Sequence, residues 1–234
     1  MPDLSTPAHQ LLVIHELGDY VTAPVDIAGA EALGTFLYTE GPLFRLHCFI
    51  SLFLSPRTKD ETTALAMNNL HTFLPGGLTY ESLIAVSEDK LDTLINKVGF
   101  HRTKARNLKT IATIFVDKYN SDIPDTYSEL MALPGVGEKI ALLVLSVAFN
   151  RVEGISVDTH VHKVANRLGW VSTKTPQQTR VKLENLLNVE LWPLVNISLV
   201  RFGQAICKTS PCCESCPLAS VCPSVVTKKK KNSK

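Results

Sequence analysis

The sequence predicts an all-α fold. Apolar residues recur at three- and four-residue spacing through most of the chain. Runs of two-residue alternation, the mark of a half-buried strand, are scarce. Between the periodic segments stand helix starts and stops, with Ser, Asp or Pro opening a segment and Gly closing it. The chain has 234 residues, 45% of them hydrophobic and 20% charged. It can therefore bury a real core, as one large domain or two small ones, and is neither disordered nor fibrous. Its longest apolar stretch, residues 48–54, is far short of a membrane span. Asp3, Glu16 and Asp19 interrupt any secretory signal, and the absence of Arg from the first 44 residues argues against a mitochondrial transit peptide.

The elements follow in order. Residues 60–73 are periodic and are stopped by Pro75-Gly76-Gly77. Ser87 before Glu88 and Asp89 is an N-cap with acids in the first turn, opening a helix expected to reach about Val98. Gly99 ends it, and a further helix is expected over 103–119. Pro124-Asp125 starts the next segment, residues 133–137 interrupt it, and an Ala-, Leu- and Val-rich helix covers 138–150. Three more are expected over 159–168, 176–187 and 192–205. Lys228 to Lys231 form a terminal charge run, expected to be disordered.

Charge and cysteine narrow the function. Net charge is only +2, but residues 1–44 carry six acids and no Lys or Arg. The remaining 190 residues therefore hold +8, enough for a basic face that would suit nucleic acid. Cys48 lies in an apolar segment and is expected to be an inert core residue. The other five, Cys207, Cys212, Cys213, Cys216 and Cys222, fall within sixteen residues. Thiols clustered in this way, without a secretory signal, read as metal ligands rather than as a disulfide framework. Four thiolates suit tetrahedral zinc and an iron–sulfur cluster equally.

Leu133-Pro134-Gly135-Val136-Gly137-Glu138-Lys139 joins two apolar helices. Its glycines allow a tight turn and close approach by a partner, and the following helix points unpaired N–H groups outward there. That combination favours an anion such as a DNA phosphate, although an ordinary helix–helix turn uses the same residues. Lys139 stands in the first turn of the apolar helix, where the macrodipole and partial burial disfavour its cation. A nucleophilic amine needs that help, since an unperturbed lysine has a pKa of about 10.4. Asp158, in Val157-Asp158-Thr159-His160-Val161, is placed as an N-cap. The helix after Lys139 runs roughly 17 Å at about 1.5 Å per residue. The following eight residues can span roughly 26 Å. A return that faces the carboxylate towards the amine is thus geometrically open. His101, Arg102, Lys104, Arg106 and Lys109 make a basic run after Gly99, either a solvated helix face or a contact for DNA.

These motifs resemble the helix-hairpin-helix glycosylase superfamily, with the hairpin first and the aspartate after it. Thr58-Lys59-Asp60, Val98-Gly99-Phe100 with Lys104, Asn166-Arg167-Leu168 and Phe202-Gly203-Gln204 extend the likeness to the endonuclease III branch over roughly residues 40–222. The resemblance implies two helical domains around a DNA-binding cleft. One covers about 41–151, with the helix-hairpin-helix at 125–150. The other combines 1–40 with 152–222 and carries the metal loop at 207–222, leaving 223–234 as a disordered basic tail. It also implies a [4Fe–4S] cluster on Cys207, Cys213, Cys216 and Cys222. Here the first spacing is one residue shorter than usual, and Cys213 is chosen over Cys212 because it keeps the later spacings. Structural zinc is the alternative.

The implied activity is that of a bifunctional DNA N-glycosylase and AP lyase acting on oxidised pyrimidines, with Lys139 as Schiff-base nucleophile and Asp158 as its electrostatic and proton-transfer partner. Gly135, Val136, Gly137, Arg57, Phe100 and Lys104 are the implied DNA contacts, and Phe100 is a candidate wedge. Arg57 departs from the glutamine usual at its position, which is thought to fill the gap left by the extruded base. The partner implied is damaged double-stranded DNA, bound by a monomer with no membrane contact, and the lysine run suggests a nuclear location. An adenine-type glycosylase would be expected to lack Lys139, whereas a non-enzymatic DNA-binding module would not trap covalently on abasic DNA.

Overall fold

The computed structural model describes residues 4–29 and 38–225, and these contain helices and turns but no strand. The helices are α1 (Pro7–Glu16), α2 (Pro24–Ala28), α3 (Gly41–Leu54), α4 (Asp60–Phe73), α5 (Tyr80–Ala85) and α6 (Glu88–Leu94). They continue as α7 (His101–Tyr119), α8 (Tyr127–Met131), α9 (Glu138–Phe149), α10 (Thr159–Arg167), α11 (Pro176–Leu186) and α12 (Trp192–Ala205). Among the described residues no helix is long and apolar enough to cross a membrane. Lys228–Lys231 lie outside the described residues.

Most expected helices appear within two residues of their expected ends. The one opening after Ser87 does not: its cap is present, with Ser87 Oγ accepting from the Lys90 N–H, but it stops at Leu94. Ile95 and Val98 are still buried, so the apolar pattern runs on while the backbone turns. The next helix begins two residues early, at His101, because Phe100 takes a left-handed conformation and serves as its N-cap. Thr126, rather than Pro124, caps α8 through its side chain.

The chain divides into two compact units, residues 27–153 and residues 1–26 with 154–234. Of the described residues near the expected boundaries, 27–29, 38–40 and 152–153 fall in the first unit. In the first unit, the central residues of α3, from Leu46 to Leu54, are all buried. A helix apolar on every side belongs inside a core. Phe49 stacks on Phe53 at 5.8 Å and meets Phe115 of α7 edge-on at 5.0 Å, geometries that aromatic pairs favour. Cys48 is wholly buried here, the inert core residue expected of it. The second unit packs α1 and α10 against α12, burying Ile14, Val161, Val164, Val195 and Leu199. Arg201 of α12 holds Asp26 through paired hydrogen bonds, and Gln204 accepts from the Val25 N–H, so the chain up to residue 26 is tied to this unit. The expectation of disorder from residue 223 is corrected for its first residues. Ser224 Oγ donates to the Arg167 carbonyl at 2.7 Å, and Pro223 lies against Gly169.

Candidate catalytic, DNA-binding and metal-binding residues

The turn between α8 and α9 is built as its sequence requires. Gly135 has φ +81°, a region L side chains avoid. A Cβ there would also stand 2.6 Å from Asn107 Nδ2 and 3.4 Å from the Phe53 ring. Gly137 is extended and faces open space, with nothing within 4 Å of where a Cβ would be. The N-cap residue of α9 is Gly137, which has no side chain to cap with, so the helix starts where an anion is favoured. The side chain of Val136 is buried in the core, and its N–H is given to the Leu133 carbonyl. Lys139 is half-buried in the first turn of α9.

A second feature of this unit is the tip formed by residues 54–58 and 98–104. Arg57 and Phe100 both have left-handed backbones, with φ +56° and +59°. The Arg57 guanidinium stands over the Phe100 ring, 5.4 Å from its centroid, a cation–π pair. Phe100 is 62% exposed, unusual for an aromatic ring held in one place. Residues adjoining the tip behave otherwise than the basic run suggested. Lys104 is corrected from a DNA contact to a buried residue, 8% exposed, whose ammonium donates to the carbonyls of Leu54 and Pro56. His101 pairs with Asp92, and Lys109 donates to the carbonyls of Leu83, Ile84 and Val86, covering the end of α5. Arg102 and Arg106 remain exposed.

In the other unit Asp158 caps α10, its Oδ1 accepting from the Val161 N–H at 2.8 Å. The strand-like approach to it is fixed on both sides: Glu184 accepts from the Ile155 N–H, and Asn196 donates to the Ser156 carbonyl. At the other end of α10 is Arg167, to which sequence reasoning gave no role. Its guanidinium donates to the carbonyls of Cys207, Lys208 and Thr209 and reaches Cys207 Sγ at 3.5 Å. Its own carbonyl accepts from Cys222 Sγ at 3.6 Å. An arginine nine residues after Asp158 was visible in the sequence, but nothing local connected it to a loop forty residues later.

Burial pushes the Cys216 thiol up, against a backbone hydrogen bond at Leu218, and nearby Cys222, Cys207 and Cys213 add to the rise. Cys207, Cys213 and Cys222 thus each lie within electrostatic reach of Cys216. Cys212 is exposed and takes no part in that coupling. Among the described residues no three His, Cys, Asp or Glu side chains close around a single metal ion.

Helices joined by a glycine turn that opens onto an uncapped N-terminus, with a lysine in the first turn beyond, define a helix-hairpin-helix protein. Residues 50–188 match the HhH-GPD superfamily of base excision DNA repair proteins. The chain is 44% identical over 212 residues to an endonuclease III homolog of Schizosaccharomyces pombe, covering 89% of this chain and 59% of that one. It is also 44% identical to endonuclease III-like protein 1 of Mus musculus, over 92% of this chain and 71% of the mouse protein. A solved trapped endonuclease III–DNA covalent intermediate superposes with a TM-score of 0.77 at 31% identity, over 95% of this chain and 98% of that one. The chain belongs to the HhH-GPD superfamily and, within it, to the endonuclease III family. It spans little more than half the length of the yeast and plant relatives it matches.

Proposed function

We propose that this chain is a bifunctional DNA N-glycosylase and AP lyase of base excision repair, acting on oxidised pyrimidines in double-stranded DNA. The observation that carries this reading is Lys139, in the first turn of α9 directly beyond the Gly135–Gly137 turn of an endonuclease III family member. The hairpin backbone grips a phosphate, and the damaged nucleotide is extruded from the stack. Lys139 Nζ, as the free amine, attacks the anomeric carbon, and the bond to the base breaks with its electron pair leaving on the base, which takes up a proton. Asp158 offsets the positive charge that develops on the sugar and assists proton transfer. The amine then loses a proton and the sugar ring opens, the C1′–O4′ bond breaking with its electron pair leaving on O4′, which takes up a proton. The resulting protonated imine on Lys139 acidifies the neighbouring C2′, and loss of a C2′ proton expels the 3′ phosphate. Borohydride reduction of the imine tests the reading: a covalent protein–DNA adduct on abasic duplex is expected, and none would leave a non-enzymatic DNA-binding module.

The thiols of Cys207, Cys213, Cys216 and Cys222 would hold a [4Fe–4S] cluster, with Arg167 donating beside Cys207 and shaping the loop. Such a cluster, when bound, supplies a rigid, loop-organising core. About four irons per chain are expected. Cys213→Ser should lose them and Cys212→Ser should keep them; one equivalent of zinc in anaerobically prepared protein would replace the cluster with a structural zinc site. A nuclear address carried by Lys228–Lys231 completes the proposal, checked by relocating a fluorescent fusion when the four lysines are changed.

A further inference from the structure

The tip at residues 54–58 and 98–104 is held by three hydrogen bonds, two of them from one buried amine. Lys104 Nζ donates to the Leu54 carbonyl at 2.7 Å and the Pro56 carbonyl at 2.9 Å. The first of those carbonyls ends α3, where the last C=O groups of a helix lack partners; the second lies two residues beyond. The Gly99 N–H donates to Thr58 Oγ1 at 3.1 Å. A Cβ at Gly99 would lie 2.5 Å from the Arg57 carbonyl oxygen, so the two backbones are in contact there. Just beyond stand Arg57 and Phe100, ring under guanidinium, both in a backbone conformation that side chains disfavour. Such conformations persist only where the surroundings over-determine them, and they gather at working sites.

We propose that Lys104 is a positioning residue. Its ammonium ties the end of α3 to α7 and so sets how Arg57 and Phe100 project together towards DNA. This rests on the glycosylase reading, in which that pair meets the duplex at the damaged position. A charged amine is a costly way to fill a core, and burial draws the pKa of Lys104 down to about 8. An apolar side chain would fill the same space. What the amine adds is several N–H donors on one atom, able to reach two carbonyls of the facing turn at once. Without them the turn loses its fixed distance from α7, and Arg57 and Phe100 are free to relax to ordinary conformations.

The test uses the full chain and a duplex in which a tetrahydrofuran abasic analogue faces 2-aminopurine, whose fluorescence rises when that base is unstacked. Lys104→Met is expected to weaken binding to this duplex by roughly ten- to a hundredfold, since a misplacement of about 1 Å costs up to about a hundredfold. It should also remove most of the fluorescence rise, while binding to undamaged duplex changes by less than about twofold. In an Arg57→Gly/Phe100→Gly background the same substitution should lose nothing further, because residues acting as a unit are non-additive. Gly99→Ala forces the two segments apart without touching the amine and should reproduce the loss, which keeps the test decisive if Lys104→Met does not fold. Equal losses with and without the tip side chains, or an unchanged fluorescence rise in both Lys104→Met and Gly99→Ala, overturn the proposal. A wild-type chain that does not prefer the abasic-analogue duplex to the intact one overturns instead the glycosylase reading beneath it.

Discussion

Two turns of the same unit use left-handed backbone, and they populate it with opposite kinds of residue. Between α8 and α9 the position is Gly135, which adopts φ +81° without steric cost. At the tip the positions are Arg57 and Phe100, each of which carries roughly 1–2 kcal/mol of unfavourable conformation. In the proposed reading the hairpin turn meets DNA through its backbone, and the side chain of Val136 is turned into the core. In the same reading the tip meets DNA through its side chains, so glycine there would remove the strain and the contact together.

The largest expected effects concern the proposed catalytic pair, Lys139 beyond the hairpin turn and Asp158 of the other unit. Lys139→Gln should abolish borohydride trapping while leaving duplex binding largely intact, because the turn's backbone is unchanged. Adduct formation by that variant would move the chemistry to another amine and break the comparison at its base. Asp158→Asn should lower excision by at least about two orders of magnitude, the scale for losing a key electrostatic group. Its melting temperature should move little, because Asn caps a helix about as well as Asp. A large drop in melting with excision preserved would make Asp158 a cap alone.

Smaller effects sharpen the contrast directly. Gly135→Ala places a Cβ in a left-handed position and against Asn107, and should cost about 2 kcal/mol, or roughly 4–8 °C in Tm. Arg57→Gly relieves strain but forfeits the ring contact and adds chain entropy, so its Tm should stay within about 2 °C of wild type. Thermal melts of the two variants side by side would show the asymmetry, and equal losses would remove it. The mildest change is Arg57→Gln. An arginine facing the orphaned base donates readily to the acceptors of guanine and adds attraction for phosphate. Excision of one lesion against each of four bases should favour guanine more in wild type than in Arg57→Gln. If the base profiles coincide and only the salt dependence differs, Arg57 binds phosphate and reads no base.

How much of this was legible in the sequence varied with how local the cause was. The bounds of α4 and α12 were readable because their periodicity and punctuation lie within the segments themselves. Helix α3 was not, since a helix apolar on every side shows no period to find. Helix α5 spans six residues, too few for a pattern. The basic run 101–109 looked uniform, yet His101, Lys104 and Lys109 each turn to a protein partner. No spacing within the run distinguishes them from Arg102 and Arg106.

By itself the sequence determined the helical class, the glycine turn with Lys139 beyond it, the aspartate at a helix start and the cysteine-rich loop. Each depends on neighbours within a turn or two, where backbone geometry and capping chemistry decide. Only the tertiary structure decided that Lys104 is a buried tie and that Arg57 lies over Phe100, forty-three residues on. It also decided that Arg167 reaches the cysteine loop. Those outcomes depend on which segments the core brings together, and burial or a carbonyl across a turn leaves no trace in the local order of residues.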